Sequence, residues 1–456
     1  MATPSNPAIA RVAVNQEART IAVTALAPGV TALTITDGRG VTASVPLTFA
    51  YAAGRIVPAA TLRITGDPAS PAFIASEALA FVRAITEARP GAQVVLTPEA
   101  VSVVRPLPQD DDTEVEVPVL IQGEGMLPVQ GTTRVHVENI AVPAIRPDQL
   151  MVSDFPEELR SDGILFSADV RSDRPSRFLY FHDDPPGAPL RRLVLRLHNL
   201  SPLPTTVQYI AGKGGPDVYG MEAGHRATET FLAHLVQNEG RLIEIPGNAT
   251  ISVSEDDLLP GTTACGLLQL RVLDPGVVHL TLIARSAGDA SDARADGALL
   301  LLRGIHRHAR GIYPVPEFHY ATQWSVDEPY LVLPVGQIPL PNELRGHALA
   351  GDYGVLESFV IDVTNPTAAP QQIALYENPR GGSATGTYII DGVLVQSHQV
   401  PAFSRYQLRQ YVVPAHGFVR ITIVTMPEAG SSYPLDIIVA PDDGSVPPGA
   451  PGSPIY

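Results

Sequence analysis

Two segments of this chain alternate apolar and polar residues in the same way. A period of two directs neighbouring side chains to opposite faces of a strand, so residues 190–199 and 356–365 each predict a half-buried β-strand. The predicted inward-facing residues are Leu193, Leu195 and Leu197 in the first segment and Phe359, Ile361 and Val363 in the second. An Asn-x-x-x-x-Pro segment follows each strand. Because proline has no N–H for a sheet ladder, that segment predicts a turn.

The likeness continues beyond these strands and indicates an internal duplication. The matching residues of the two copies are Asn199 with Asn365, Pro204 with Pro370, and Gly214-Gly215 with Gly381-Gly382. Two further pairs of segments resemble each other in the same order, namely 245–250 with 400–405 and 276–283 with 417–424. Any two proline-rich β segments look somewhat alike, which is the alternative explanation. Three matches in one order favour a duplicated β unit.

Composition supports a fold of short strands joined by many turns. The chain of 456 residues contains 44 prolines and 38 glycines, is 45% hydrophobic and is only 17% charged. Its length fits roughly three or four domains. The predicted fold class is therefore mainly β and multidomain, with serial antiparallel β-sandwich units and one small α+β unit.

The α+β unit is predicted over residues 57–146. A strand at 61–65 is followed by Ser70-Pro71, which has the chemistry of a helix N-terminus. The apolar face of the predicted helix consists of Ile74, Ala78, Phe81, Val82 and Ile85. A strand at 92–96 completes a β-α-β arrangement, and further strands are predicted at 100–106, 113–122 and 132–140.

Five domains or segments follow from these patterns. They are 1–56, a partial Ig-like domain; 57–146, the α+β unit; 147–312 and 313–441, the two sandwich copies; and 442–456, a flexible tail. Within the first copy we also predict a short helix at 225–237, a strand at 298–302, and a hairpin of 267–273 with 277–284 through Asp274-Pro275-Gly276.

The N-terminal segment resembles a known family. The residues that carry the likeness are Ser5 to Ala10, Val23 to Gly29 and Thr31 to Asp37, where Pro28-Gly29 predicts a turn and Asp37-Gly38 a hairpin. Residues 5–49 resemble the group-2 family of bacterial Ig-like domains. The resemblance implies an exported bacterial surface protein in which such modules act as stalks or adhesive units. The family's opening strands should precede Ser5, where only four residues stand, so partner strands are expected upstream or from elsewhere.

Charge and cysteine content narrow the classes of partner. A formal net charge of −16 opposes nucleic-acid binding, and no run of about 18 apolar residues predicts a membrane span. The single cysteine, Cys265, is predicted to be a small buried hydrophobe. Residues Met1 to Pro4 do not begin a signal peptide, so the protein is either cytoplasmic or carries its export signal upstream. The Ig-like resemblance favours an extracellular or cell-surface location.

Few residues predict chemistry. The nearest approach to a metal cluster is His306, His308 and His319 with Glu317, but arginines 303, 307 and 310 lie among them and their charge opposes a cation. A polar linker is therefore favoured and no metal is expected. The segments His182-Asp183-Asp184 and Gly351-Asp352-Tyr353-Gly354 each precede a repeated strand and are predicted to be polar turns.

These patterns lead to a non-catalytic interpretation with no cofactor. No nucleophile-elbow, zinc-peptidase or phosphate-loop motif stands out. The leading hypothesis is an exported surface scaffold or adhesion protein built of β-sandwich modules, with other surface proteins or glycans as partners. The alternative is a carbohydrate- or ligand-binding protein that uses loops of the repeated units, which the aromatic-rich segment 313–330 around Trp324 motivates. A third is an enzyme whose site is assembled from distant residues.

Overall fold

The computed structural model describes residues 1–286, 299–303 and 308–454. The predicted class, mainly β with many sheets, is confirmed, because strands dominate and the described residues contain two α-helices. Contacts divide the chain into two compact units. Unit 1 comprises 1–62, 71–107 and 111–138, and unit 2 comprises 63–70, 108–110 and 139–456. The predicted domain boundaries stay predictions.

The elements of residues 1–139 are eleven strands, one α-helix and a 3₁₀ turn. They are β1 (Ala2–Pro4), β2 (Ala10–Asn15), β3 (Thr20–Ala25), β4 (Gly29–Thr36), β5 (Thr42–Phe49), β6 (Gly54–Arg55), β7 (Ala59–Thr65), α1 (Pro71–Ile85), β8 (Glu87–Ala88), β9 (Gln93–Leu96), the 3₁₀ turn Pro98–Ala100, β10 (Asp111–Gln122) and β11 (Val129–Asn139).

The first 50 residues form two small antiparallel sheets, β1–β4–β5 and β2–β3. The hairpin predicted at Asp37-Gly38 joins β4 to β5. The Asp37 carboxylate accepts hydrogen bonds there from the backbone N–H groups of Arg39 and Val41, at 2.8 and 2.9 Å. An aspartate at this position therefore satisfies the turn that its sequence signal predicts.

The α+β part of unit 1 follows the prediction in part. The predicted strands and helix are β7, α1 and β9, and α1 buries Phe73, Ile74, Ala78 and Val82. The strand order is β7–β11–β10–β9, so two later strands lie between the first and the last. No strand forms over residues 100–106, which was predicted wrongly. Val104 there is 91% exposed, and two prolines follow it.

The described residues of the first sandwich, in unit 2, form ten strands and one helix. They are β12 (Gln149–Ser153), β13 (Gly163–Arg171), β14 (Ser176–Asp183), β15 (Arg191–Asn199), β16 (Thr205–Asp217), α2 (Gly220–Val236), β17 (Gly240–Ile245), β18 (Thr250–Leu258), β19 (Thr263–Val272), β20 (Val277–Ser286) and β21 (Arg310–Tyr313). One sheet has the order β21–β12–β14–β19–β16–β17 and the other β13–β20–β15–β18.

The predicted helix at 225–237 is confirmed as α2, but the predicted hairpin after it is wrong. Strands β19 and β20 lie in different sheets, so Asp274-Pro275-Gly276 carries the chain across the sandwich instead of turning it within one sheet. The Asp274 carboxylate accepts a hydrogen bond from the N–H of Thr206 at 2.7 Å, which fixes this crossing. The strand predicted at 298–302 lies partly outside the described residues.

The second sandwich also has ten strands. They are β22 (Glu317–Ser325), β23 (Leu331–Val335), β24 (Leu356–Thr364), β25 (Gln371–Pro379), β26 (Ala384–Ile390), β27 (Val393–Val400), β28 (Tyr406–Val413), β29 (Phe418–Thr425), β30 (Leu435–Pro441) and β31 (Ser453–Pro454). The sheets are β22–β24–β29–β26–β27–β31 and β23–β30–β25–β28. In the segment predicted as a tail, Gly449 N–H donates to Gln407 O at 3.1 Å and β31 pairs with β27.

A buried asparagine organises the same corner of both sandwiches. The Asn199 side-chain amide donates to the carbonyls of Leu203, Ile245 and Pro246, at 2.8, 3.0 and 3.3 Å. The equivalent amide of Asn365 donates to the carbonyls of Ala369, Val413 and Pro414, at 2.8, 3.1 and 3.1 Å. In both sandwiches the side-chain oxygen accepts the N–H two residues later, at 2.9 Å. One side chain thus closes the turn and ties it to a distant strand.

These bonds correct the alignment of the two copies. Because Ile245-Pro246 and Val413-Pro414 meet the same asparagine, β17 corresponds to β28, and residues 245–250 do not correspond to 400–405. The strand that follows also corresponds, since His198↔Thr250 on β15 and β18 has the same register as Thr364↔Phe418 on β24 and β29. The counterpart of 417–424 is therefore β18 and not 276–283.

The shared core is larger than the sequence match. Sheet order β14–β19–β16–β17 in the first sandwich corresponds to β23–β30–β25–β28 in the second. Between these corresponding strands the copies differ at one insertion point. Helix α2 lies between β16 and β17, whereas the β26–β27 hairpin lies between β25 and β28.

Helix α2 packs between the two sandwiches, and its backbone lies in direct contact with the backbone of both. A Cβ on Gly212 or Gly214 of β16 would overlap the α2 backbone, and a Cβ on Gly224 of α2 would overlap the carbonyl of Ala429. Apolar side chains complete this junction, among them Phe231, Leu232, Ile389 and Met426. Because these glycines have no side chain, strand, helix and loop approach more closely than other residues would allow.

A buried polar network crosses the same junction. His225 of α2 donates from Nδ1 to the Glu428 carboxylate at 2.9 Å, and both side chains are at most 1% exposed. Thr385 and Thr387 also donate to this carboxylate. Burial lowers the pKa of His225, but its hydrogen bond to Glu428 and the charge of that carboxylate raise the pKa above its ordinary value. The junction therefore contains a satisfied ion pair within apolar packing.

Substitution Asn365→Ala should destabilise the second sandwich selectively. It removes a donor to three carbonyls, and buried carbonyls without a donor cost about 1–3 kcal/mol. Trp324, the chain's one tryptophan, is buried in this sandwich's core, so its fluorescence during urea unfolding reports on this sandwich. We expect a lower midpoint for Asn365→Ala and an unchanged midpoint for Asn15→Ala, whose side chain is exposed in unit 1. Equal midpoints for native protein and Asn365→Ala would contradict the role of this asparagine.

Substitution Gly224→Ala should destabilise unit 2 although alanine favours helix by about 1 kcal/mol over glycine. The added methyl group meets the Ala429 carbonyl, and such overpacking costs about 1–3 kcal/mol. A lower thermal midpoint by calorimetry is expected. Gly276→Ala is the matched control, because a Cβ added to Gly276 would have no neighbouring atom within 4 Å. A midpoint at or above the native value for Gly224→Ala would show that the junction is loosely packed.

Candidate functional site

A pocket of about 450 Å³ in the second sandwich combines buried carboxylates with aromatic rings. Its walls come from β22 with residues 319–322, β23 with Leu333 and Pro334, the following segment with Gln337, Ile338 and Asp352, and β24 with Glu357 and Phe359. Its volume lies within the range of small-molecule sites, roughly 300–1,000 Å³.

Two carboxylates are buried in the wall of this pocket. Asp352 is 1% exposed and Glu357 is 2% exposed. One oxygen of Asp352 accepts the N–H of Ile338 at 3.0 Å, and one oxygen of Glu357 accepts the N–H of Gly336 at 2.8 Å. The other Asp352 oxygen, Oδ1, is buried without a hydrogen-bond partner. A buried polar atom of this kind needs a donor, which a bound molecule can supply.

Burial changes the protonation of both groups. Burial raises the pKa of Glu357 to about 8, against the opposing hydrogen bond from Gly336. Burial likewise raises the pKa of Asp352 to about 6, against the hydrogen bond from Ile338. Glu357 is therefore mainly protonated at neutral pH and can donate a hydrogen bond, whereas Asp352 is mainly ionised and accepts one.

Aromatic rings form the neighbouring wall. The half-buried ring of Tyr320 stacks on Phe359, with centroids 5.0 Å apart and planes inclined by 16°. Phe318, two residues earlier on β22, lies 6.1 Å from Tyr320. Burial, followed by the charges of Glu357 and Asp352, raises the pKa of the Tyr320 phenol, so the rings and carboxylates share one environment. The pocket thus offers an apolar ring beside acid groups.

Local sequence explains how the acids reach the pocket. In the turn Gly351-Asp352-Tyr353-Gly354, Gly351, Asp352 and Gly354 all have positive φ, at 83, 51 and 82°. The left-handed turn directs Asp352 inward, so the predicted polar turn is a buried wall element. Glu357 lies two residues before the inward-facing Phe359 on the same strand, so it faces inward as well. The strand alternation in the sequence therefore indicated that an acid lies in the core.

The aromatic-rich segment 313–330, which motivated the alternative ligand-binding hypothesis, divides between core, surface and pocket. Trp324 is 2% exposed within the hydrophobic core and cannot stack on an external ligand. Tyr313 is also buried and donates its hydroxyl to His347 O at 3.1 Å. Tyr330 is 61% exposed and does not line the pocket. Tyr320 is the member of this segment whose ring borders the carboxylates.

The described members of the candidate metal group, His308, His319 and Glu317, do not assemble as one cluster. His306 lies outside the described residues. His319 lies 3.3 Å from Glu317 at the rim of the pocket, and the Glu317 carboxylate also accepts from the buried guanidinium of Arg177 at 3.0 Å. His308 contacts Asp154 and Glu157 in the first sandwich instead.

The segment His182-Asp183-Asp184, predicted as a polar turn, instead comprises the last two residues of β14 and the residue after it. His182 is unexposed, and burial lowers its pKa to about 4. Asp184 is 1% exposed and pairs with Arg191. Its turn signal, Pro185-Pro186-Gly187, acts only after the strand has ended. Cys265 is 1% exposed, and burial raises the pKa of its thiol, which confirms its prediction as a buried hydrophobe.

Comparisons with known proteins identify no family. No family model and no curated protein matches the chain. A solved structure of the M60 catalytic domain with two CBM51 domains, from Clostridium perfringens ZmpB, is 9% identical with a TM-score of 0.16; the match covers 91% of this chain and 49% of that one. The tandem CBM22 domains of Paenibacillus barcinonensis Xyn10C are 10% identical with a TM-score of 0.12, over 77% and 92% of the chains. This chain thus spans about half the length of the first structure. At such TM-scores the likenesses assign neither family nor ligand.

Among the described residues, neither α-helix has the length and apolar character needed to cross a membrane.

The pocket should make the stability of the second sandwich depend on pH. An acid whose pKa is higher in the folded than in the unfolded state stabilises the fold at low pH and loses that contribution as pH rises to the folded pKa. For Glu357, stability should fall between about pH 5 and pH 8, by up to about 1.4 kcal/mol per pH unit. Urea unfolding followed by Trp324 fluorescence measures this. Glu357→Gln should flatten the dependence of unfolding free energy on pH, and the control Glu328→Gln, at an exposed site, should leave it unchanged. Equal pH dependence in the native protein and Glu357→Gln would contradict the raised pKa of Glu357.

Proposed function

We propose that this protein is a non-catalytic, exported surface scaffold of β-sandwich modules whose second sandwich binds a saccharide. The proposal of a saccharide ligand rests on Asp352, which has a buried oxygen without a hydrogen-bond partner in the wall of a pocket of about 450 Å³. A saccharide hydroxyl supplies the donor that this oxygen lacks. The apolar face of a sugar ring fits against Tyr320, and protonated Glu357 donates to a ring or hydroxyl oxygen.

The scaffold part of the proposal comes from the modules and the N-terminal resemblance. Two sandwiches joined by close backbone packing through α2 give a stiff body that is suited to presenting a pocket. Residues 5–49 resemble a family of exported surface proteins, which supports the extracellular location and adhesive role. The net charge of −16 favours a neutral or cationic ligand over a polyanionic one.

Binding to a glycan array, followed by calorimetric titration of the best ligand, tests this function. Tyr320→Ala and Asp352→Asn should each weaken binding at least about tenfold, the loss of about 1.4 kcal/mol. Tyr330→Ala is the matched control, since it removes an exposed ring of the same segment outside the pocket, and its affinity should equal the native one.

Three results would contradict the proposal. They are an array without a binder, equal losses in the Tyr320 and Tyr330 variants, and release of reducing ends from the bound glycan. The last outcome would instead favour a hydrolase, because Glu357 and Asp352 have different pKa values and could act as acid and base.

A further inference from the structure

A group of three possible metal-ligating residues lies at the edge of the first sandwich. They come from segments that are far apart in the sequence. Asp154 follows β12, and His308 precedes β21 by two residues. Antiparallel pairing places Ser153 opposite Arg310, and Asp154 N–H donates to Ala309 O at 2.9 Å. The pairing of β12 with β21 therefore places His308 beside Asp154. The chain that follows Asp154 brings Glu157 to the imidazole ring of His308.

The distances suit a shared ion. His308 Nδ1 lies 3.4 Å from Asp154 Oδ2, and Nε2 lies 2.8 Å from Glu157 Oε2. One possible ligand atom from each residue falls within 4.8 Å of the others. Two ligand atoms held about 2.05 Å from one tetrahedral zinc ion stand about 3.3 Å apart, which matches the His308–Asp154 separation. Glu157 faces the other nitrogen of this ring, so its carboxylate has to turn toward Nδ1 to share an ion with Asp154.

Buried hydrogen bonds fix the backbone that holds both carboxylates. His182, which is unexposed, bonds through Nδ1 to Pro156 O at 2.8 Å and through Nε2 to Ser153 Oγ at 3.1 Å. Asp183 N–H donates to Glu157 O at 2.8 Å. Asp154 and Glu157 thus project from a segment whose backbone is held at both ends.

The surroundings give the three residues access to a cleft, and Asp154 has an oxygen that lacks a donor. Glu157 and His308 line a cleft of about 530 Å³, and all three residues line a smaller cavity of about 170 Å³. Asp154 Oδ1 is buried without a hydrogen-bond partner. Arg310 donates to the carbonyls of Phe155 and Leu302 and so is directed at backbone oxygens. Arg303 lies exposed at the rim of the cleft.

We propose that Asp154, Glu157 and His308 bind a divalent transition-metal ion of the zinc class, with an open coordination position toward the cleft. One imidazole nitrogen with two carboxylate oxygens suits zinc, whereas calcium and magnesium take oxygen ligands alone. Three protein ligands leave the fourth tetrahedral position free for water or a ligand group. The sequence had pointed to His308 but favoured a polar linker, because arginines 303, 307 and 310 lie nearby in the chain. It gave no sign of Asp154 and Glu157, which lie about 150 residues upstream.

Titration of the metal-free full chain with Zn²⁺, with Ca²⁺ and Mg²⁺ in parallel, tests the site. One equivalent of Zn²⁺ should bind, and His308→Gln and Asp154→Asn should each weaken binding at least tenfold. His279→Gln is the matched control. Its ring is 37% exposed, against 36% for His308, and pairs with the single carboxylate of Asp169 at 2.6 Å. This variant should bind as the native chain does.

Visible absorption of the Co²⁺-loaded protein gives a second readout that does not depend on stability. Native protein and His279→Gln should show the same bands, and the two site variants should lose them while keeping native circular dichroism. The proposal fails if no stoichiometric Zn²⁺ binding occurs, if Ca²⁺ binds equally well, or if the double variant of Asp154 and His308 retains native affinity. The first result would mean that His308 serves only as a cation bridging two carboxylates.

Discussion

Unit 2 depends on the direct packing of α2 against backbone on both of its sides. Gly212 and Gly214 let the helix lie on β16, and Gly224 lets the loop at Ala429 lie on the helix. This close approach buries the His225–Glu428 pair and aligns the sandwich edges that border Asp154. A side chain at any of these glycines would separate the layers and expose a charged pair that packing now shields from water. The cavity that Asp154 shares with Ala429 therefore rests on three missing Cβ atoms.

Local features of the fold could be predicted from the sequence. Alternation in residues 356–365 identified the core residues Phe359, Ile361 and Val363, and apolar spacing identified both helices. Partners of strands could not be predicted in the same way. Strands β18 and β20 both fit a half-buried strand pattern. The Asn199 hydrogen bonds to Ile245 and Pro246, together with the register of β15 and β18, show that β18 corresponds to β29. Long-range pairing is decided by these buried acceptors, which leave no periodic signal.

The candidate sites show the same division. Glu357 could have been found from its inward parity, because an acid in a core position is costly unless it has a role. Asp154 and His308 could not, since a ladder between β12 and β21 brings them together across about 150 residues. The histidines adjacent in sequence were misleading for the opposite reason. His319 lies on a different sandwich from His308 and faces Glu317 and the pocket.

The two copies meet through the parts in which they differ. Helix α2 exists only in the first and the β26–β27 hairpin only in the second, and Phe231 of the helix packs in one cluster with Ile389 of the hairpin. A contact between unlike surfaces can propagate into open filaments when each copy offers both surfaces. Here each sandwich has only one of the two surfaces. The contact between the two sandwiches of one chain therefore covers both surfaces. At this insertion point the two copies are therefore complementary and not interchangeable.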